Sequence, residues 1–538
     1  MSTGTMTPYR SPHQPGPDGF AQLLRAEWTK LRTVRGWGIA LLAAAVLAAL
    51  ATILIAGSAN GTGNPGAQAP GPVDSSGQAV TDQFTFVHQP LAGNGSITVA
   101  VTSLTGHILQ SAFGGSTPPG VTPLQPWSKA GLIISASTKQ GSDYAAVMVT
   151  GQHGVRMQYD YTHDIAGQSG LPSASSPAWL RLTRSGDTIT GYDSTDGRHW
   201  TQIGTATLSG LPSTVQAGLF ATSPNVVIAE QGVASNNGQE LSTVASASFD
   251  RLSRQGTWPA SSWSSTIVGG GGRTVRKVIA CGGACARLAP TANPGGYQAA
   301  GGTFTVTGTG DIAPYVSVLD PLGLSFKGAL VGLIAVIALG ALFITTEFRR
   351  GMMIRTTFTA SPGRSRVLVA KAIVIGSVTF VAGLAAASVA FVVAQAKLNA
   401  NGWAKSVYPA DSLFSTHGLT VVLGTAGVFA LAAVLAMAAG AAIRRTAGAI
   451  AAVIGLVVVP LILATLMPQT LADWLLRLTP AAAFSVQESS LIPHQVQQAC
   501  LPYNGCYPLS PWHGFIVLCV WAVLAVGGAG YLIRRRDA

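Results

Sequence analysis

The sequence predicts an α-helical polytopic membrane protein with six transmembrane helices and a large extracellular antiparallel β-sandwich domain. Three observations support this fold class. The mean hydropathy is +0.39, with 48% hydrophobic and only 10% charged residues. Six runs of about 20 mainly apolar residues meet the length that a helix needs to cross a bilayer. Between the first two runs lies a long insert of short, β-branched or alternating segments separated by turn residues, which is typical of antiparallel strands.

The predicted spans are long, uncharged runs. They cover residues 36–59, 328–346, 372–396, 419–443, 446–467 and 514–533. The first run is too long for the apolar core of a signal peptide, which has about 7–15 residues, so we expect an uncleaved anchor. Pro460 is tolerable within the fifth run because neighbouring helices can satisfy the freed carbonyl. Only Arg444 and Arg445 separate the fourth and fifth runs, which predicts a tight hairpin.

The basic residues predict the orientation. Segments 1–35, 347–371, 444–445 and 534–538 together hold sixteen Lys and Arg residues against four acids, a net charge of +12 that equals the net charge of the whole chain. Positive charge marks the cytoplasmic side, so both termini are predicted there, with residues 60–322 outside the plasma membrane. The charge follows topology, and it therefore gives no support to a nucleic-acid partner.

The N-terminal segment has two parts. Residues 1–18 are rich in Pro, Gly and Ser and are predicted to be a disordered cytoplasmic tail. Residues 19–35 show helical spacing of apolar side chains, which predicts an amphipathic interface helix against membrane lipid. A plain cytoplasmic lead-in to the first span is the alternative. The apolar positions are Phe20, Leu23, Leu24, Trp28 and Leu31.

Within the outer insert, residues 82–252 are predicted to form the sandwich, with strand segments such as "YAAVMVT" and "TITGYDS". A Gly/Ser-rich linker is predicted at 255–273, and membrane-proximal strands at 274–322. In "GYDSTDGRHW", Asp193 and Asp196 are close enough to suggest a calcium or sugar site. The favoured interpretation is a hairpin turn in which Gly197 supplies a positive φ and Trp200 packs beneath.

The cysteines agree with this topology. Cys281 and Cys285, like Cys500 and Cys506, fall in predicted outer segments, where disulfides persist, and they are disulfide candidates. A metal site at the first pair is a weaker alternative, since no histidine lies near. Cys519 lies inside the sixth span and is predicted to be a packed thiol.

Motifs for catalysis are not found in the sequence. It has no Gly-x-x-x-x-Gly-Lys-Ser/Thr loop to cradle phosphates, no Gly-x-Ser-x-Gly and no His-Glu-x-x-His. The chain is therefore predicted not to be an enzyme and to hold no cofactor of its own.

Three segments, in their order and topology, resemble permease subunits of type-2 ABC exporters: "TTEFRRGMMIRTTFTASPGRSRVLVAKAIV", "LLRAEWTKLRTVRGW" and "LTPAAAFSVQ". The resemblance covers all six spans. It implies a cytoplasmic loop at 347–371 that couples to a separate ATPase subunit, which would bind ATP and Mg²⁺. It also implies a homodimer, or a heterodimer with a second permease, and an outer re-entrant segment within 468–512.

The implied ATPase-coupling interface comprises Glu347, Phe348, Arg349, Arg350, Gly351, Met352 and Met353. Met352 departs from the family pattern, which often has Thr after the Gly. The alternative is that these arginines are only positive-inside anchors, as Arg364 and Arg366 are expected to be. The predicted spans contain no ionisable residue, which favours hydrophobic or amphipathic cargo.

The outer insert separately resembles concanavalin-A-like sandwich domains over residues 82–252, carried by "FTFVHQPLAGNGSITVAV", "WSKAGLIIS" and "AWLRLTRSGDTITGYDSTDGRHW". Such domains bind glycans in some cases, so an extracellular glycan is a further expected partner. This suggests an alternative function, a membrane-anchored glycan-binding adhesion or sensor protein.

Overall fold

The computed structural model describes residues 19–59, 71–109, 122–232, 235–259, 262–270, 295–316, 320–349, 364–403, 405, 412–488, 493–497 and 507–536. Within this part, six helices are long and apolar enough to cross a membrane, which suggests a membrane protein. They are Arg35–Ser58, Leu322–Phe348, Ser365–Ala400, Thr416–Ile443, Thr446–Ala464 and Pro511–Arg535.

The helices are numbered in chain order. They are α1 (Phe20–Thr33), α2 (Arg35–Ser58), α3 (Pro321–Phe326), α4 (Ala329–Arg349), α5 (Arg364–Ala400), α6 (Thr416–Ile443), α7 (Thr446–Val457), α8 (Val459–Ala464), α9 (Gln469–Leu478) and α10 (Pro511–Arg536). Helix α5, which contains the third predicted span, begins eight residues before residue 372. The residues from Arg364 to Lys371 extend this helix toward the arginine-rich loop.

Helix α6 lies at the centre of the bundle and packs against α4, α5 and α10. Small residues permit this close approach, as in other packed membrane helices. A Cβ atom added at Gly340 of α4 would lie 2.3 Å from the Ala433 carbonyl oxygen of α6. Glycine at position 340 therefore sets the distance between these two helices.

The fifth predicted span is interrupted. Val458 separates α7 from α8, and Pro460 stands in the first turn of α8, where its missing N–H costs little. After α9, the chain forms a 3₁₀ helix at Pro480–Gln487, and all eight of its residues are buried. This helix packs on α6 and α10 and coincides with the segment expected to be re-entrant.

The strands lie between α2 and α3. They are β1 (Val80–Asp82), β2 (Phe84–Ile108), β3 (Lys129–Ser135), β4 (Tyr144–Thr150), β5 (Val155–Tyr159), β6 (His163–Ala166), β7 (Ala178–Ser185), β8 (Thr188–Ser194), β9 (Thr201–Thr207), β10 (Thr214–Thr222), β11 (Val226–Gly232), β12 (Ser235–Leu241), β13 (Thr243–Thr257), β14 (Ser264–Val268), β15 (Gly296–Ala300), β16 (Thr303–Gly308) and β17 (Ile312–Pro314). The segments "YAAVMVT" and "TITGYDS" are β4 and β8.

Thirteen of these strands form one antiparallel sheet organised around the 25-residue β2. The first half of β2 pairs with β10, from Thr85 to Ala92, and the second half pairs with β7, from Gly95 to Val101. The sheet thereby folds over a buried core of side chains such as Val99, Leu132 and Leu182. The result is a large, sandwich-like sheet.

The sheet extends beyond the expected sandwich at 82–252. The predicted linker at 255–273 contains the end of β13 and the whole of β14, which pairs with β2 through Ser264–His88 to Val268–Phe84. Its Ser, Thr and Ile residues suit an edge strand despite the flanking glycines. β15 and β16 join the same sheet through β13.

The two ends of the insert meet. β1 pairs with β17 from Val80–Pro314 to Asp82–Ile312, although these strands lie more than 200 positions apart. The ends leading to α2 and α3 are thus adjacent, which allows a large domain to occupy the connection between two neighbouring helices.

Candidate functional site

Four charged side chains from three helices meet at one end of the bundle. Glu27 and Lys30 come from α1, Glu347 from the last turn of α4, and Lys371 from the third turn of α5. We call them the charge cluster. We call the end of the bundle where α4 ends and α5 begins the basic end, after the arginines of the connecting loop.

Lys371 is the centre of the charge cluster. Its Nζ donates to Glu27 Oε2 at 2.7 Å and to Glu347 Oε1 at 2.6 Å. Lys30 Nζ lies 3.1 Å from Glu27 Oε1 and 3.6 Å from Glu347 Oε1. Two carboxylates and two ammonium groups therefore form a closed set with no formal net charge.

The charge cluster is buried at its centre. The side chains of Lys371 and Glu27 are 2% and 3% exposed, and that of Glu347 is 12% exposed. Desolvation of such groups is costly, so each needs its partner, and removal of one partner costs about 3–5 kcal/mol. Burial lowers the pKa of Lys30, but Glu347 and Glu27 raise it by more, so it lies above its ordinary value.

Aromatic and polar contacts support the charge cluster from α2, α4 and α7. The Phe343 ring lies 5.2 Å from Lys371 Nζ, close enough for a cation–π interaction, and Trp37 of α2 packs edge-on against Phe343. Two residues before Glu347, Thr345 shares a 2.8 Å hydrogen bond with Thr446. The start of α7 is thus tied to the same end of α4.

The expected interface helix is present as α1, but its apolar residues divide between two directions. Leu31 is buried and Leu24 half-buried against the bundle core, on the face that also carries Glu27. Leu23 is half-buried, whereas Phe20 and Trp28 are 38% and 49% exposed. One face of α1 therefore docks on the bundle, and another presents large apolar side chains outward.

The expected coupling interface is described only at its beginning. Glu347 belongs to the charge cluster, so its side chain points into the bundle. Phe348 is half-buried, and the Arg444 guanidinium lies 5.3 Å from its ring centroid. Arg349 ends α4. The Arg349 side chain, Arg350, Gly351, Met352 and Met353 lie outside the described part of the structure.

Sequence reasoning does not predict the charge cluster. It uses Glu27, Lys30 and Lys371 only in the charge count that sets the orientation. A signal for them exists, because Glu27 and Glu347 are two of only four acids in the predicted inner segments. Lys371 was placed in the cytoplasmic loop at the edge of the third span. The earlier start of α5 moves it into a helix, where its buried ammonium needs both carboxylates.

The outer hairpin at Gly191–Trp200 is a turn whose two aspartates have different partners. Gly197 has φ 72°, as expected, and it packs against Trp179, whereas Trp200 stacks on Arg181 at 3.9 Å. Asp196 accepts from Ser194 and His199 within the turn. Asp193 is buried and its Oδ2 accepts from the backbone N–H of Gln168, so the two aspartates do not share a site.

No group of three or more His, Cys, Asp and Glu side chains in the described ranges could hold a metal ion. The disulfide candidates Cys281, Cys285, Cys500 and Cys506 lie outside those ranges. Cys519, on α10, is a half-buried free thiol.

Comparison with known proteins gives no family assignment. No family model and no curated protein matches the chain. Among solved structures, a functionally unknown protein from Saccharomyces cerevisiae is 11% identical over 32% of this chain and 75% of its own, with a TM-score of 0.18. A GH43 protein from Bacillus licheniformis is 15% identical over 30% of this chain and 28% of its own, with a TM-score of 0.18. Scytalido-glutamic peptidase is 8% identical over 42% of this chain and 98% of its own, with a TM-score of 0.24. Such low TM-scores support no inference about fold or activity.

Proposed function

We propose that this chain is the membrane-spanning permease subunit of an ATP-binding-cassette exporter, driven by separate ATPase subunits. The observation that carries the proposal is the charge cluster. Lys371 joins Glu27 of α1 and Glu347 of α4, so it links the interface helix to both helices that flank the arginine-rich loop. A force applied to that loop would be transmitted to α1, α4 and α5 together.

The loop itself is suited to receive such a force. Residues 350–363 lie between α4 and α5 in the sequence, and the segment from Glu347 to Arg366 carries five arginines. In the proposed mechanism, closure of ATP-bound ATPase subunits displaces this loop, and the linked helices rock between inward and outward states. Acidic groups on the ATPase would pair with Arg349 and Arg350. Because Glu347 is held inside the bundle, it would position the start of the loop instead.

The proposal also sets the orientation. The basic end faces the cytoplasm, and the sheet between α2 and α3 faces outside, in accord with the positive-inside rule. Two copies, or this chain and a second permease, would enclose the translocation path. The charge-neutral, buried character of the charge cluster is compatible with its position near the inner membrane surface, where an unpaired ion would be costly.

The test begins with purification of the tagged chain in mild detergent from its native membranes. We expect a co-purifying subunit that carries a phosphate-binding loop and hydrolyses Mg²⁺-ATP. Replacement of Arg349 and Arg350 together by Ala should weaken this association or lower its ATP hydrolysis, while the amount of chain in the membrane is unchanged. Glu347 is left intact, because its loss would perturb the buried charge cluster.

Arg364→Ala with Arg366→Ala is the matched control. It removes two arginines from the other end of the same loop, where they are proposed to be membrane anchors. Equal loss of ATPase association in both double variants would mean that the loop acts only through its overall positive charge and that Arg349 and Arg350 have no specific role. Absence of any ATP-hydrolysing subunit in the purified complex would contradict the proposed function.

A further inference from the structure

A concave site lies on the sheet, and none of its lining residues belongs to the charge cluster. A cavity of about 570 Å³ opens beside β13 and the β15–β16 turn. This volume lies within the range of about 300–1,000 Å³ that is usual for small-molecule sites. Its lining residues are Asp250, Arg251, Leu252, Arg254, Trp263, Gly301, Gly302, Thr303 and Phe304. We call this cavity the sheet-edge cleft.

An irregularity in β13 creates the cleft. The pairing of β13 with β2 shifts register between Asp250 and Ser253, and β13 leaves β16 after Phe249. Arg251, within the shifted segment, has φ 55°, which is uncommon for a residue other than glycine. Bulges re-aim side chains, and strained backbone is found preferentially at functional sites. Here the bulge places two arginines on either side of Leu252.

Both arginines are held by aromatic rings. The Arg251 guanidinium lies 5.5 Å from the Trp179 ring centroid. The Arg254 guanidinium lies 5.4 Å from Trp258 and 5.5 Å from Trp263, and one of its N–H groups donates to Gln89. A guanidinium has five N–H donors in a planar fork. Arg254 is therefore oriented in advance, with donor capacity beyond that single hydrogen bond.

The opposite wall of the cleft has an aromatic part, formed by Trp263 and Phe304, and a part without side chains, formed by Gly301 and Gly302. Trp263 packs edge-on against Phe304, with ring centroids 5.6 Å apart, and its carbonyl accepts from the Tyr297 hydroxyl at 3.4 Å. At the turn, Gly301 and Gly302 have φ 60° and 88°, and a Cβ atom on either would meet nothing within 4 Å. The space above these glycines is open, so a ligand can approach the backbone there.

The charges define the class of ligand. Two arginines line the sheet-edge cleft against one carboxylate, Asp250, which already accepts from Thr303. A planar guanidinium binds a carboxylate or phosphate through two parallel hydrogen bonds. The aromatic wall suits the apolar C–H face of a ring, and the backbone and Thr303 suit hydroxyl groups. The site combines an anion-binding group with a surface for a polyhydroxylated ring.

We infer that the sheet-edge cleft binds an acidic sugar, whose anionic group pairs with Arg254 and Arg251 and whose ring lies against Trp263. This site has no part in the proposed coupling at the basic end. Its test is therefore independent of ATP hydrolysis.

The experiment uses the full chain in detergent or nanodiscs and measures binding by calorimetry. The probes are tetragalacturonate, its fully methyl-esterified form, which keeps the rings and removes the charges, and glucose 6-phosphate. We expect one or both anionic probes to bind, and the ester to bind at least about tenfold more weakly, since hydrogen bonds to charged groups are stronger than those to neutral groups. Binding of tetragalacturonate alone identifies a carboxylate as the recognised group, and binding of glucose 6-phosphate alone identifies a phosphate.

Arg254→Gln should weaken binding of the anionic probe about tenfold or more. Arg181→Gln is the matched control, because Arg181 also stacks on a tryptophan, Trp200, but does not line the cleft. Equal affinity for tetragalacturonate and its ester, equal effects of the two substitutions, or no binding of either anionic probe would each overturn the inference. Failure to find an associated ATPase would not change the binding measured here. The proposed transport function and the proposed sugar site can therefore be refuted independently.

Discussion

His494 Nε2 lies 2.7 Å from Asp164 Oδ2, which joins the segment before α10 to strand β6 of the sheet. The neighbouring Gln495 donates to the Tyr161 and Thr162 carbonyls, and Gln497 donates to the Gln125 side chain. Asp164 also accepts from Arg156 and Gln158. The sheet is therefore attached to the helical part through a defined polar contact as well as through its two chain connections.

This contact should be sensitive to acid. Burial raises the pKa of Asp164, but hydrogen bonds from Arg156, Gln158 and His494 lower it by more, so it lies below its ordinary value of 3.8. The stability that Asp164 contributes is thus present above pH 3.8 and is lost as the pH falls through the lower folded-state pKa. Asp164→Asn should lower the unfolding midpoint at pH 7 and flatten its fall below about pH 4. Thermal unfolding followed by tryptophan fluorescence measures both effects.

Asp187→Asn is the control for this prediction, since Asp187 accepts from the Gly210 amide in a turn away from the contact. It should retain the acid-dependent fall. An unfolding midpoint of Asp164→Asn that matches wild type at pH 7 would show that the contact contributes no stability.

Lys371 should be essential for the stability of the charge cluster. Lys371→Met removes the buried cation between Glu27 and Glu347 and leaves them only Lys30, so we expect a loss of about 3–5 kcal/mol in unfolding free energy. The double variant Lys371→Met with Glu347→Gln keeps one carboxylate for Lys30 and should recover part of that loss. The single variant Glu347→Gln completes the double-mutant cycle, and the thermal stabilities of wild type, the two single variants and the double variant in detergent test the coupling. Additive effects of the two substitutions would mean that the residues do not interact.

Glu488, directly after the buried 3₁₀ helix, should make stability fall as the pH rises from about 4.5 to about 8. Burial, and then the nearby charge of Asp320, raise its pKa from 4.5 to about 8. The folded protein retains this proton over a range in which the unfolded chain has released it, so stability falls as pH rises from about 4.5 through about 8. Glu488→Gln should remove most of this fall. Unfolding midpoints at pH 6 and pH 9 measure it, and an unchanged pH dependence in the variant would contradict the assignment.

Gly514 should not tolerate a side chain. A Cβ atom there would lie 2.1 Å from the Ala482 carbonyl oxygen, on the 3₁₀ helix that packs against α10. Gly514→Ala should destabilise the protein by about 1–3 kcal/mol or more through overpacking. Gly528→Ala in the same helix is the matched control, because a Cβ atom there meets nothing within 4 Å. Comparable unfolding midpoints for the two variants would show that α10 can move away from the 3₁₀ helix.

The sequence by itself determined the apolar helices and most of the strands. Hydrophobic length and alternation are local properties, and segments such as Tyr144–Thr150 carry them within a few residues. It also located the fifth apolar run, although the break at Val458 depends on packing around Pro460. The strand β14 was missed because its glycine-rich surroundings indicate a linker, whereas an edge position beside β2 stabilises it.

Only the tertiary structure decided which charges meet. Lys371 and Glu27 lie 344 positions apart, and no local pattern relates them. Their pairing follows from the docking of α1 on α5, which buries an ammonium and two carboxylates that cannot remain unpaired away from water. The sheet-edge cleft likewise depends on a register shift in β13 and on the approach of the β15–β16 turn. Long-range packing brings these groups together, because the side chains that form each site come from segments whose own periodicity specifies only a helix or a strand.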